Sequence, residues 1–342
     1  MNDESKYAGI PSYLKNYKKQ TFDKYYTEYE EYLSPTSNKP VKYQIVVPLE
    51  NFECSSNLSA IKLSSNVRIV SGNGTFYPDI IEENKDRWMN ELFPKIEYYD
   101  PPEFFLEIDY EMKKERVPSE CKEHIENDII ERIREVFRIL RLYKDGFLRS
   151  GFIYLFPKAP CDPPHDYDDI ISYHGNSYSP NKYSITKNDV IKLQNLFKKY
   201  LKNSNHKDFP HSAIYYLDKG LKRTEPTDSL VDFTTALECL LAKGKMEIAF
   251  TLRVYTAAFL KGNKQDGRKI YDDIKETYNL RSIIVHGKEK DKKVKAGEFE
   301  YREYSKKTER YARKAIIKWL DMIDKGKTAE EIYESIENKL LS

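Results

Sequence analysis

Along the first third of the chain, apolar residues fall at every second position. Val41, Tyr43, Ile45, Val47 and Leu49 alternate with their neighbours, which is the period of a half-buried strand. Ile61, Leu63, Val67 and Ile69 predict a second strand, and Ser71-Gly72-Asn73-Gly74 after it reads as a turn. Phe104, Leu106, Ile108 and Tyr110 alternate again. The period then lengthens. Ile125, Ile129, Ile133, Val136, Phe137 and Leu140 recur at helical spacing after Pro118 and Ser119. The short apolar run at 152–156 resembles a buried strand. Residues 11–33, rich in Tyr, Lys and Glu and followed by Pro35, fit a helix with a poor apolar face. Residues 1–156 therefore predict a mixed α+β domain, with an antiparallel sheet and at least one packed helix.

Residues 157–184 break the pattern. Pro157, Pro160, Pro163, Pro164 and Pro180 stand among Gly, Ser, Asn and Asp. This is loop chemistry, and it marks a Pro-rich linker between domains. Its length suggests a functional or partly ordered loop.

From residue 185 the pattern is helical to the end. The spacing predicts helices over 190–201 and 212–221. Pro226 and Thr227 open another, with Leu230, Phe233, Leu237, Leu240 and Leu241 on one face and Lys243-Gly244 as its stop. Ile248, Leu252, Tyr255 and Phe259 define a helix ending near Gly262; Ile270, Ile274 and Tyr278 define the next. A long helix carries Tyr301, Tyr304, Thr308, Tyr311, Ala315, Trp319 and Ile323, and a short one follows Thr328. Short connections predict a bundle of antiparallel neighbours. The fold class is thus α+β over 1–156 and all-α over 185–342.

Length agrees with two domains, since 342 residues exceed one comfortable core. The chain is 33% charged, yet 28 Tyr and 16 Phe supply apolar area for burial. A net charge of +2 argues against polyanion binding by the chain as a whole. Any such site must come from local charge. Cys54, Cys121, Cys161 and Cys239 form no disulfide framework, which suits a reducing compartment. Residues 1–19 hold no apolar signal core, and no run reaches membrane-spanning length. The expectation is a cytoplasmic protein without a membrane partner.

The chemistry concentrates in Leu280-Arg281-Ser282-Ile283-Ile284-Val285-His286-Gly287. Three branched apolar residues between Arg281 and His286 anchor the segment. Arg offers a permanent planar fork of donors that suits phosphate, and His exchanges protons near neutral pH. RNA cleavage without a metal needs such groups. One takes the ribose 2′-hydroxyl proton, one protonates the leaving oxygen, and a cation meets the charge developing at phosphorus. Five residues on a regular helix turn through roughly 140°, so the two side chains do not share a face. They converge if the helix is irregular, or if two copies of the chain meet. Gly287 predicts that the helix stops just after His286, where the dipole favours a cation. Taken alone, the string describes a surface Arg and a capping His at a helix end.

Its surroundings resemble the HEPN superfamily, specifically the Apea-like branch. The resemblance is carried by Asp228-Ser229-Leu230-Val231-Asp232-Phe233-Thr234-Thr235-Ala236-Leu237-Glu238-Cys239-Leu240-Leu241, by Glu247, by Leu252-Arg253, and by the segment from Tyr278 to Gly287. Upstream, Leu140-Arg141-Leu142-Tyr143-Lys144-Asp145-Gly146 looks like the segment preceding such domains. About the last 150 residues match well as a pattern, and the first 150 only loosely. The resemblance implies a helical bundle that dimerises, bringing two Arg/His motifs into one cleft. It implies a metal-independent endoribonuclease of anti-phage or toxin-like defence, with RNA as partner and no cofactor. Arg281 and His286 would be catalytic. Ser282 would hydrogen-bond phosphate or orient a side chain. Glu238 and Arg253 would support, through a Glu238–Arg253 or Glu238–Arg281 pair. The N-terminal domain would sense, binding a regulatory ligand or protein. The alternative is a non-catalytic bundle of the same kind that binds RNA, a nucleotide or a protein.

Other clusters are weaker. Cys161 and His165 stand among Asp162, Asp166, Asp168 and Asp169, but no second ligand pair follows at metal spacing. His206 and His211 flank Pro210 as linker residues. There is no phosphate-cradling glycine loop and no nucleophile elbow. Lys288, Lys290, Lys292 and Lys293 directly follow the motif and would steer RNA, although Glu289 and Asp291 dilute them to the look of a solvated loop.

Overall fold

The computed structural model describes residues 41–55, 59–73, 75, 102–112, 122–146, 148, 150, 153–157, 165–167, 182–242, 244, 246–287 and 297–341. The helix expected over 11–33 lies outside these residues, as do Cys121, Cys161 and Lys288 to Lys293. Two compact units divide the chain. Among the described residues, the first runs to Arg134, resumes at Gly146 and ends at Gln194. The second holds 135–145 and everything from Asn195 on.

In the first unit the period-two segments become an antiparallel sheet. The central strand β1 (Val41–Leu49) pairs with β5 (Phe104–Met112) on one side and β6 (Ile153–Pro157) on the other. β1 buries Val46 on one face as well as Ile45, Val47 and Leu49 on the other, so strict alternation understates its burial. The run expected as one strand over 61–69 is a hairpin. β3 (Ala60–Lys62) pairs with β4 (Val67–Ser71) across a turn, in which the Ser64 hydroxyl donates to Asn66 Oδ1 at 2.8 Å. With β7 (His165–Tyr167) the order is β3-β4-β5-β1-β6-β7. A separate two-stranded sheet pairs β2 (Phe52–Cys54) in parallel with β8 (Tyr183–Ile185). The 157–184 stretch thus contributes two short strands, whose three residues each leave too little pattern to read. Helix α1 (Lys122–Tyr143) carries buried Ile129, Ile133, Val136, Phe137 and Leu140, matching its predicted stripe.

Helix α2 (Lys187–Asn203) leads into the second unit, whose described residues form no strand. It continues through α3 (His211–Leu221), α4 (Pro226–Leu241), α5 (Ile248–Leu260), α6 (Lys264–Val285), α7 (Glu298–Asp324) and α8 (Ala329–Leu341). Pro226 begins α4 where a missing N–H costs nothing. Helix α4 is the core element, packing against α3, α5, α6 and α7. It buries Leu230, Phe233, Ala236, Leu237, Leu240 and Leu241, and each large side chain contributes ~1.5–3 kcal/mol. Asn263 caps α6 by accepting the Asp266 N–H at 2.9 Å. A buried ion-paired cluster ties α1 to α3: Arg141 donates to Asp218 at 2.8 Å, and Lys222 donates to the other carboxylate oxygen.

Candidate functional site

Helix α6 is fixed before it reaches the motif. Tyr311 donates to Asp273 at 2.6 Å, Lys307 stands 3.3 Å from the same carboxylate, and the Thr277 and Thr308 hydroxyls meet at 3.0 Å. These contacts join α6 to α7. One turn on, Leu280 packs with Leu230 of α4 and Tyr301 of α7, and Ile284 lies against that cluster. Of the three branched residues expected to anchor the motif, Ile284 packs on the core, Ile283 is half-buried and Val285 is 51% exposed, so Leu280 and Ile284 are the anchor.

Arg281 is held on two sides. Its guanidinium carbon lies 5.6 Å from the Tyr278 ring centroid, and Nη2 stands 3.8 Å from Glu238 Oε2 on α4. At that distance the pair is electrostatic and beyond hydrogen-bond length. Two buried atoms at this contact have no hydrogen-bond partner among the described residues: Arg281 Nε and Glu238 Oε1. Burial pushes the Glu238 carboxyl above its ordinary range, and the Arg281 charge only partly pulls it back. A buried donor and a buried acceptor left unused each cost free energy unless a polar partner arrives.

His286 closes the helix. Its N–H donates to the Ser282 carbonyl at 3.1 Å, and Gly287 follows in the left-handed region at φ +65°, donating to Ile284 O at 3.0 Å. The imidazole is exposed, next to exposed Val285. Ser282 is half-buried on the same turn. Because α6 is helical through Val285, Arg281 and His286 project about 140° apart within one copy. Helix irregularity does not bring them together.

Of the two pairings expected for Glu238, the structure contains the one with Arg281. Arg253 sits elsewhere, with its guanidinium carbon 5.2 Å from the Phe250 ring centroid and 5.3 Å from that of Tyr271. Tyr271 precedes Arg281 by ten residues, or ~15 Å of helix. In the sequence Tyr278 reads as an apolar position of its helix and Tyr271 carries no signal of its own. Their seven-residue spacing on α6, with Arg281 three beyond, is a period that reads equally well as core packing.

Among the described residues, no group of three or more His, Cys, Asp or Glu side chains is placed to hold a metal ion. No described helix is long and apolar enough to cross a membrane. Comparison with known proteins finds no family model, no curated protein and no solved structure that matches the chain.

Proposed function

We propose that the helical unit is a metal-independent endoribonuclease of the HEPN type, acting as a homodimer in anti-phage or toxin-like defence. The observation that carries this reading is the Arg281 contact. A guanidinium stacked on Tyr278 and faced by Glu238 at 3.8 Å makes no hydrogen bond among the described residues, and the Arg281 side chain stays 25% exposed. A phosphodiester oxygen is the acceptor such a donor suits. His286 supplies an exposed proton-transfer group at the end of the same helix.

Within one copy the two groups point apart, so the working unit is two copies. In that arrangement His286 of one copy takes the proton from a ribose 2′-hydroxyl. The 2′-oxygen bonds to the adjacent phosphorus, and the bond from phosphorus to the 5′-oxygen breaks. His286 of the other copy gives that oxygen its proton. Arg281 meets the negative charge on the phosphoryl oxygens. The products are a 2′,3′-cyclic phosphate and a 5′-hydroxyl. Glu238 positions Arg281 and does not touch the reacting atoms.

The test is cleavage of mixed RNA by the purified protein in EDTA. The parent protein cleaves, and His286→Ala loses activity by about 100-fold or more. Equal cleavage by both, or none by either, contradicts the reading. The ~140° separation within one copy favours a second reading, a non-catalytic bundle that binds RNA through Arg281. RNA retention without product distinguishes it.

A further inference from the structure

The second unit holds an arginine whose placement the Arg281 chemistry leaves unexplained. Arg253 of α5 is half-buried between two rings, Phe250 one turn before it and Tyr271 on α6. On α6, Arg268 lies over Tyr271 in turn, at 5.7 Å. The result is an alternating column of Phe250, Arg253, Tyr271 and Arg268. Arg268 is neutralised by Asp272 at 3.0 Å. Arg253 is not neutralised: among the described residues its guanidinium has no carboxylate partner and no hydrogen-bond acceptor, and Nε is buried without one. Its Nε is left without an acceptor, and because the residue is only half-buried the guanidinium stays open to a partner from outside the chain.

The geometry decides what kind of partner fits. With rings against its guanidinium, Arg253 has little freedom to turn, and its donors lie in one fixed plane. A planar fork of donors matches the oxygens of a phosphate. At the end of the column Phe250 remains 49% exposed, beside Met246 at 88%. An exposed ring next to an unpaired guanidinium suits a nucleotide, whose base stacks while its phosphate pairs. An acidic peptide offers the carboxylate but leaves the exposed ring unused. Glu247, between Met246 and Ile248, holds a left-handed backbone at φ +51°, a conformation that costs a non-glycine residue energy and turns the chain sharply into α5.

We infer that the Phe250–Arg253–Tyr271 column is a second RNA subsite, where Arg253 binds a backbone phosphate and Phe250 stacks a base. It lies ~15 Å along α6 from Arg281, a span of about four stacked nucleotides. The inference rests on reading the Arg281 site as an RNA site, and it adds that the substrate is a single strand lying along α6.

The test separates binding from cleavage by using His286→Ala protein and a uridine hexanucleotide in EDTA. Phe250→Leu and Arg253→Lys each weaken hexamer binding about tenfold, because lysine keeps the charge but not the planar fork. Arg253→Gln also flattens the salt dependence by about 0.7 in logarithmic slope. Photocrosslinking a 4-thiouridine hexamer to protein unaltered at residues 246–271 yields adducts at Phe250 or Tyr271, a readout independent of any effect of substitution on folding. Unchanged hexamer affinity in Arg253→Lys, adducts confined to other segments, or binding of a polyglutamate peptide in place of the hexamer would overturn the subsite. Failure of RNA cleavage by the parent protein contradicts the catalytic reading and leaves this binding result standing.

Discussion

Glu238 is the residue on which stability and function pull apart. Its carboxyl is raised by burial, with Arg281 lowering it only in part. A carboxyl whose folded pKa lies above its unfolded value contributes stability below the unfolded pKa and loses it as pH rises through the folded one. Glu238→Gln removes that loss. The variant is therefore more heat-stable than the parent at pH 7, and the difference shrinks towards pH 4 in thermal melts. The same change takes away the charge facing Arg281, so RNA cleavage falls while stability rises. A variant that loses stability at pH 7 contradicts the assignment. Asp218 shows the opposite sign. Burial raises its carboxyl, and Arg141 and Lys222 together more than reverse this, leaving it below the usual carboxylate range. Its stabilisation is present above the unfolded pKa and is lost as pH falls through the folded one. Arg141 is 5% exposed, so Asp218→Ala strips the carboxylate from a buried cation and costs about 3 kcal/mol at pH 7. Denaturant melts at pH 7 and pH 3 show that cost shrinking in acid.

Between helices, two glycines act for different reasons. Gly220 of α3 lies against α4, and a Cβ there would fall 2.5 Å from the Phe233 ring. Phe233 is itself buried and has nowhere to retreat, so Gly220→Ala destabilises the bundle by about 2 kcal/mol. Gly287 has open space around it, and only its positive φ resists a side chain. Gly287→Ala costs about 1 kcal/mol, and a measured value well above that for Gly287 would point to a steric contact instead. The two glycines also differ in legibility. Gly287 follows an apolar-periodic run and is readable as a helix stop. Gly220 sits inside a helix, where nothing in the local sequence announces a neighbour from another helix.

At the scale of the molecule, the alternation over 41–49 and 104–110 and the apolar stripes after residue 185 specify the sheet and the helices directly, because each segment is longer than its period. Three-residue strands such as β2 and β8 are set by pairing partners far along the chain and have no such signature. The site follows the same division. Arg281, His286 and the Gly287 stop lie within one seven-residue segment, so their place at the helix end is readable from local pattern. The Glu238–Arg281 contact and the Phe250–Arg253–Tyr271 column join different helices, and only packing reveals which arginine meets which partner. The separation of Arg281 and His286 within one copy makes assembly part of the account. Specific activity per chain should fall as the protein is diluted below its dimerisation constant, and sedimentation over the same range should show the matching change in mass.

The central claim is that Arg281 and His286 direct a ribose 2′-hydroxyl against its own phosphodiester. End-group analysis of a labelled RNA incubated with the protein in EDTA tests it most directly. The account predicts fragments ending in 2′,3′-cyclic phosphate and beginning with 5′-hydroxyl, formed by the parent and lost in His286→Ala. Fragments beginning with 5′-phosphate, cleavage of the same RNA carrying 2′-O-methyl groups, or undiminished cleavage by His286→Ala would contradict it.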